Sequence, residues 1–298
     1  MRHDLLSKSL ISTFFADFLR LAAPDSARRL RATEVTFLDK EVFTDWPTGH
    51  RREPDLLARV PAEGRDLQLL IHIEIETRAR AGMDHRLWSY YMQLRLRHGL
   101  IVLPILVNLR GGRPGLEVQA LEEGFDDPAT AVFRYRALGL SGCQAEDWLS
   151  RPEPLAWAFA ALMRPGRRGR VELKLECLRR ISASGVVGLR KEMLVNWVES
   201  YVKLREEEAV EYRRLLDREE NREIKAMELT WLGKAEARGM EIATERMRQA
   251  VLRMIEQRFG RVPKRAQKRI EAMKSIEPLA NLVEKVLVVR SLKELGLS

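Results

Sequence analysis

Residues 51–78, RREPDLLARVPAEGRDLQLLIHIEIETR, carry the pattern from which the fold of this chain is read. Strand side chains alternate between faces, so Leu67, Leu69, Ile71, Ile73 and Ile75 form one apolar row while His72, Glu74, Glu76 and Arg78 emerge on the other side. Glu63-Gly64 is a turn signal, and the short connection it makes favours antiparallel pairing of 52–60 with 67–77. The hairpin brings Asp55, 19 positions before Glu74, beside Glu74 and Glu76. Three carboxylates then share one patch of sheet. Like charges held that close repel and raise each other's pKa unless a cation sits among them, and hard oxygen ligands suit Mg²⁺ or Mn²⁺ rather than zinc. A metal there could polarise a phosphodiester and activate a water. On spacing alone, a plain polar sheet face with Glu–Arg pairs across strands accounts for the same residues.

On the N-terminal side, Leu6, Leu10, Phe14 and Phe18 recur at steps of four, which predicts an opening amphipathic helix ending near Pro24. Residues 33–38 are a first strand, separated from 52–60 by the Pro47-Thr48-Gly49 turn signal. Residues 83–98 carry Leu87, Trp88, Tyr91, Leu94 and Leu96 near helical period, and the apolar run 100–107 suits a buried strand. The order is αβββαβ, an α/β fold with a mixed sheet flanked by helices. Weaker strands are expected at 115–120 and 131–138, then helices from about Ala145. Gly166-Arg167-Arg168-Gly169-Arg170 resembles an exposed joint. The dense mixed charges of 203–239 predict a long solvated helix, which Gly233 and Gly239 would weaken or interrupt. Three regions are expected: a core at 1–165, a helical extension at 166–245 and a small basic helical domain at 246–298.

Composition narrows the class. The 298 residues are 45% hydrophobic and 32% charged, enough apolar material for a sizeable core. The apolar run 100–107 is far below the roughly 20 residues of a membrane-spanning helix, so no membrane segment is expected. The N-terminal stretch lacks a small-residue cleavage site and does not read as a secretory signal. Cys143 and Cys177 have neither disulfide-framework nor zinc spacing, which points to a cytoplasmic location. Residues 1–165 hold 22 Lys+Arg against 22 Asp+Glu, and 166–298 hold 30 against 21, so the net +9 lies wholly in the second part. Such a surface attracts polyanions, nucleic acid among them.

The stretches HDLLSKSLISTFFADFL, FLDKEVFTDWPTGHRREPDLLARV and LLIHIEIETR resemble the Rpn family of recombination-promoting nucleases and putative transposases, within the PD-(D/E)XK nuclease superfamily. GKAEARGMEIATERM extends the likeness weakly into the helical tail. The resemblance implies a Mg²⁺-dependent (or Mn²⁺-dependent) DNA endonuclease linked to recombination or mobile elements, with Asp55 and Glu74 as metal ligands. Glu76 departs from the pattern, since relatives carry Lys or Gln there; as a carboxylate it would be a further ligand or a general base, and it implies a stronger cation requirement. Arg78 and Arg80, directly after the motif strand, are candidate phosphate contacts. His72, Tyr91 and Gln93 are lesser candidates, with Tyr91 better suited to core packing; Glu53 should point away from Asp55, and Asp39 and Glu41 decorate a loop. The tail from RFGRVPKRAQKRIEAM is similar to a small helical domain appended to such nucleases, a surface for DNA or for a protein partner. The rival readings are a nuclease-like fold that binds without cutting, and a helical scaffold that makes a homo-oligomer through the charged helix.

Overall fold

Leu10, Phe14 and Phe18 are all fully buried, as an apolar row at helical spacing requires. A computed structural model describes residues 2–38, 43–44, 51–125, 128–289, 291–292 and 294–297. The opening helix is broken into α1 (Arg2–Thr13) and α2 (Phe15–Ala22), and a short α3 (Pro24–Ala27) follows Ala23, whose φ of −151° is extended. Pro24 cannot supply the N–H that would continue α2, so it starts a new turn instead.

The strands are β1 (Thr36–Phe37), β2 (Phe43–Thr44), β3 (Arg51–Arg52), β4 (Leu56–Pro61) and β5 (Gln68–Glu76); α4 (Met83–His98) leads to β6 (Ile101–Asn108), β7 (Gly115–Glu123) and β8 (Ala131–Gly139). Six of them form one mixed sheet in the order β1-β4-β5-β6-β8-β7, while β2 and β3 pair separately. β1, β4 and β5 are antiparallel neighbours; β5, β6 and β8 are parallel; β7 returns antiparallel on β8. The expected strand 52–60 is therefore split, with Arg52 in the β2–β3 ribbon, residues 53–55 in neither strand and residues 56–60 in β4. Gly64 at φ +61° makes the β4–β5 turn, a conformation that costs other residues more.

β5 is sandwiched between β4 and β6 and covered on both faces. Its alternation therefore does not separate an inside from an outside: Leu70, Ile71, His72, Ile73 and Glu74 are all wholly buried. Helix α4 lies along the even-numbered face. Leu70 packs with Leu94 and Tyr90 in one cluster, His72 meets the Tyr90 ring edge-on at 5.1 Å, and Glu74 meets Arg86 at 3.0 Å. A helix advances about 6 Å in four residues and a strand about 6.6 Å in two, so residues 94, 90 and 86 stay in step with 70, 72 and 74. The lower half of α4, Met83 and Leu87, packs with Leu106, Phe133, Tyr135 and Ala137. Leu96, expected on the apolar face, is exposed.

Beyond the sheet come α5 (Ala145–Leu149), α6 (Pro154–Ala160), α7 (Gly169–Ala183), α8 (Gly188–Tyr201) and α9 (Glu206–Leu216). α6, α7 and α8 pack on one another, with the Phe159 and Trp197 rings 5.5 Å apart. The chain divides into two compact units, Met1–Lys225 and Ala226–Ser298, so most of the expected helical extension belongs to the first unit. The division falls within α10 (Arg222–Phe259), which runs unbroken through Gly233 and Gly239, where the sequence predicts a helix weakened or interrupted. In the second unit α11 (Lys264–Glu271) and α12 (Ile276–Val288) join α10 around Val251, Ile255, Ile270, Leu279 and Val286. No helix among the described residues is long and apolar enough to cross a membrane.

Candidate functional site

The register Leu56↔Ile73 places Asp55, one residue ahead of β4, level with Glu74. There the ladder is completed by side chains. The Asp55 N–H donates to Glu74 Oε1 at 3.1 Å, and the Ile75 N–H donates to Asp55 Oδ2 at 2.8 Å. Each carboxylate thus accepts a main-chain hydrogen from the other's strand, which holds both in place without help from a ligand. Glu76, two residues further along β5, shares the face of Glu74 and is partly exposed at 16% of its side chain.

Three cations answer these three carboxylates. Lys8, reaching from α1, lies 2.8 Å from Asp55 Oδ1. Arg86 lies 3.0 Å from Glu74 Oε2 and 3.6 Å from Glu76 Oε1, and Arg80 donates to Glu76 Oε1 at 2.7 Å. His72 Nε2 stands 3.1 Å from Glu74 Oε1; a carboxylate only accepts, so Nε2 carries the hydrogen of that contact. The Arg86–Glu74 contact is close but poorly aligned: Glu74 Oε2 and Arg86 Nε are both buried without a hydrogen bond. Asn108 pairs with Glu76 across β5 and β6, and its buried Oδ1 also lacks a partner.

Burial pushes the Asp55 carboxyl above the usual carboxylate range, the Glu74 charge adds to this, and Lys8 and the Ile75 N–H oppose it. Burial likewise raises Glu76, against the pull of Arg80 and Arg86. For Arg86 burial disfavours the charge, but Glu74, Tyr90 and Glu76 outweigh it and the guanidinium is held more firmly protonated. An open pocket of about 470 Å³ lies beside the patch, lined by Glu53, Arg80, Ala81, Gly82, Met83 and Arg86. Gly82, at φ +76°, lets the chain turn sharply into α4 and carries Arg86 toward the carboxylates.

Asp55, Glu74 and Glu76 are thus brought together, with Arg80 tied to Glu76 at the rim. Arg78 is exposed and makes no ion pair among the described residues. Glu53 is exposed at the pocket's edge. Tyr91 packs against Phe133 at 5.3 Å, and Gln93 bonds to Ser89 on its own helix. Asp39 and Glu41 lie outside the described residues. Glu74 and His72 are not on an exposed sheet face, because α4 covers them. Sequence reasoning does not point to Lys8, Arg86 or Asn108. For Arg86 a signal exists: it stands four residues before Tyr90 and eight before Leu94, on the face that turns to β5.

The carboxylates supply the hard oxygen donors that Mg²⁺ or Mn²⁺ take, and the unbonded, buried Glu74 Oε2 is suited to a cation. Among the described residues, however, no three His, Cys, Asp or Glu side chains stand in a metal-holding arrangement. Lys8 lies 2.8 Å from Asp55 and Arg86 lies 3.0 Å from Glu74, so a metal would compete with both cations for these carboxylates. No protein-family model, curated protein or solved structure matches the chain.

Proposed function

We propose that the first unit is a metal-dependent phosphodiesterase of the PD-(D/E)XK type, similar to the Rpn nucleases, acting on DNA. The observation that carries this reading is the wholly buried Glu74, fixed by reciprocal main-chain hydrogen bonds to Asp55 and flanked by the partly exposed Glu76. A sheet needs no such cluster for stability, since even a paired buried carboxylate is often no more stabilising than well-packed apolar residues of similar volume. Asp55 and Glu74 would hold the divalent ion, with Glu76 as a further ligand or as the general base. When bound, the ion would supply Lewis-acid stabilisation of charge on the phosphate. The remaining tasks fall to the chain's own groups. Glu76, with its raised pKa and partial exposure, is placed to take a proton from water. Arg80 at the pocket rim and the exposed Arg78 offer guanidinium donors to phosphate oxygens. Lys8 offsets part of the rise that burial and the Glu74 charge impose on the Asp55 carboxyl.

One observation favours a second reading. Lys8, Arg80 and Arg86 match the three carboxylates charge for charge, so the patch is neutral without a metal. In that case the fold would bind nucleic acid or a partner without cutting. Titration with Mn²⁺ followed by electron paramagnetic resonance separates the two. The catalytic reading expects saturable binding that Asp55→Asn and Glu74→Gln each weaken at least about 10-fold, as loss of a charged ligand implies. Binding absent from the wild type, or unchanged in both variants, selects the second reading.

A further inference from the structure

A second pocket, of about 390 Å³, opens beyond the C-terminal ends of the parallel strands β6 and β8, where open α/β sheets commonly take ligands. Arg110 follows β6, Ser141 follows β8, and Arg170 comes from the first turn of α7; Tyr201, Met163 and Leu173 contribute walls. Among the described residues, no Asp or Glu lines this pocket. Neither Arg110 nor Arg170 has a carboxylate partner among the described residues, although most arginines around the carboxylate patch do. The Arg170 guanidinium donates to the Lys203 carbonyl, which orients it without neutralising it. Ser141 Oγ accepts the Gly111 N–H at 3.0 Å, leaving its own hydrogen to be donated. Burial raises the pKa of the buried Tyr201 hydroxyl, and Ser7 and the nearby Arg110 oppose that rise.

We infer that this pocket is a phosphate-binding site, in which Arg110, Arg170 and Ser141 donate to the oxygens of a phosphoryl group. Two cationic forks and a hydroxyl, all donors with no acceptor carboxylate among them, suit a tetrahedral oxyanion and would repel a metal ion. The site does not depend on the nuclease reading: its residues lie after β6 and β8 and in α7, whereas the carboxylates lie at β4 and β5. The phosphoryl group is either free or on a nucleotide end, or it belongs to the backbone of a strand.

Calorimetric titration of the full chain tests this at constant ionic strength, with inorganic phosphate as the probe and chloride as the control. Parallel titrations use a trinucleotide with a 5′-phosphate and the same trinucleotide without one. Saturable phosphate binding that Arg110→Gln weakens about 10-fold or more, as expected for a missing charged hydrogen bond, supports the site. Ser141→Ala should weaken it less, and Asp55→Asn should leave it unchanged. Preference for the 5′-phosphorylated trinucleotide assigns a terminal phosphate, and equal binding of both trinucleotides assigns the backbone. Phosphate binding no tighter than chloride, equal binding by Arg110→Gln and wild type, or loss of binding in Asp55→Asn overturns the inference.

Discussion

Replacing Glu74 by alanine should destabilise the first unit substantially, because the side chain is wholly buried and holds three groups at once. The substitution leaves the Asp55 N–H and His72 Nε2, each 3.1 Å from Oε1, without their acceptor. An unsatisfied buried donor costs about 1–3 kcal/mol. Arg86 also loses its buried carboxylate, but it keeps Glu76 at 3.6 Å and is 20% exposed, so part of that loss is recovered by rotation toward water. Removing one partner of a buried pair costs about 3–5 kcal/mol, and the solvent edge of Arg86 argues for the lower half of that range. For a unit of this size, Met1–Lys225, each kcal/mol shifts Tm by about 2–4 °C, so about 6–16 °C is expected. Thermal unfolding read by tryptophan fluorescence measures it. Glu74→Gln, which keeps the shape and an acceptor oxygen, should lose less than half as much. If Glu74→Ala unfolds within about 1 kcal/mol of the wild type, the side chain of Glu74 is not what holds α4 on β5. Inactivity of the alanine variant would be ambiguous for the same reason, which makes the glutamine variant the proper test of chemistry.

The raised pKa values of Asp55 and Glu76 mean that the folded state binds their protons more tightly than the unfolded one, so their contribution favours folding below the ordinary carboxylate range and is lost as pH rises through the folded values. Asp55→Asn, which still accepts the Ile75 N–H, should therefore be as stable as the wild type or more so at pH 7, with the difference vanishing near pH 4; a variant less stable at pH 7 than at pH 4, relative to wild type, refutes the assignment. If Glu76 is a base or ligand, Glu76→Gln lowers the cleavage rate by about 10²-fold or more, and an unchanged rate with unchanged metal dependence removes it from the chemistry. Lys264, Arg265 and Lys268 on α11 are exposed and make no ion pair among the described residues. If they bind duplex DNA, replacing all three by Gln should lower the salt slope of log K by about 0.9 for each phosphate no longer neutralised; an unaltered slope points to a protein partner for that surface.

The α/β order of the first 110 residues is legible in the sequence because period-2 and period-3.6 patterns and the Glu63-Gly64 turn are local signals. The pairing of Asp55 with Glu74 follows from the hairpin alone. The burial of Glu74 does not. Alternation distinguishes two faces but does not say that both are covered, and the helix that covers this one does so with Arg86 and Tyr90 rather than with an apolar row. Lys8 is invisible for another reason: α1 reaches Asp55 through tertiary packing across 47 positions of sequence, which no spacing rule encodes. The continuity of α10 through Gly233 and Gly239 shows the limit of propensity, whose cost of about 1 kcal/mol per glycine a 38-residue helix can absorb.

Nicking of supercoiled plasmid decides whether the Asp55–Glu74–Glu76 patch hydrolyses phosphodiesters with a divalent cation. Purified full-length protein should nick the plasmid with Mg²⁺ or Mn²⁺ and stop in EDTA, while folded Asp55→Asn and Glu74→Gln prepared in parallel should fall to the level of the EDTA control. Nicking that persists in EDTA, or that is equal in the wild type and both folded variants, rules out this chemistry at the patch.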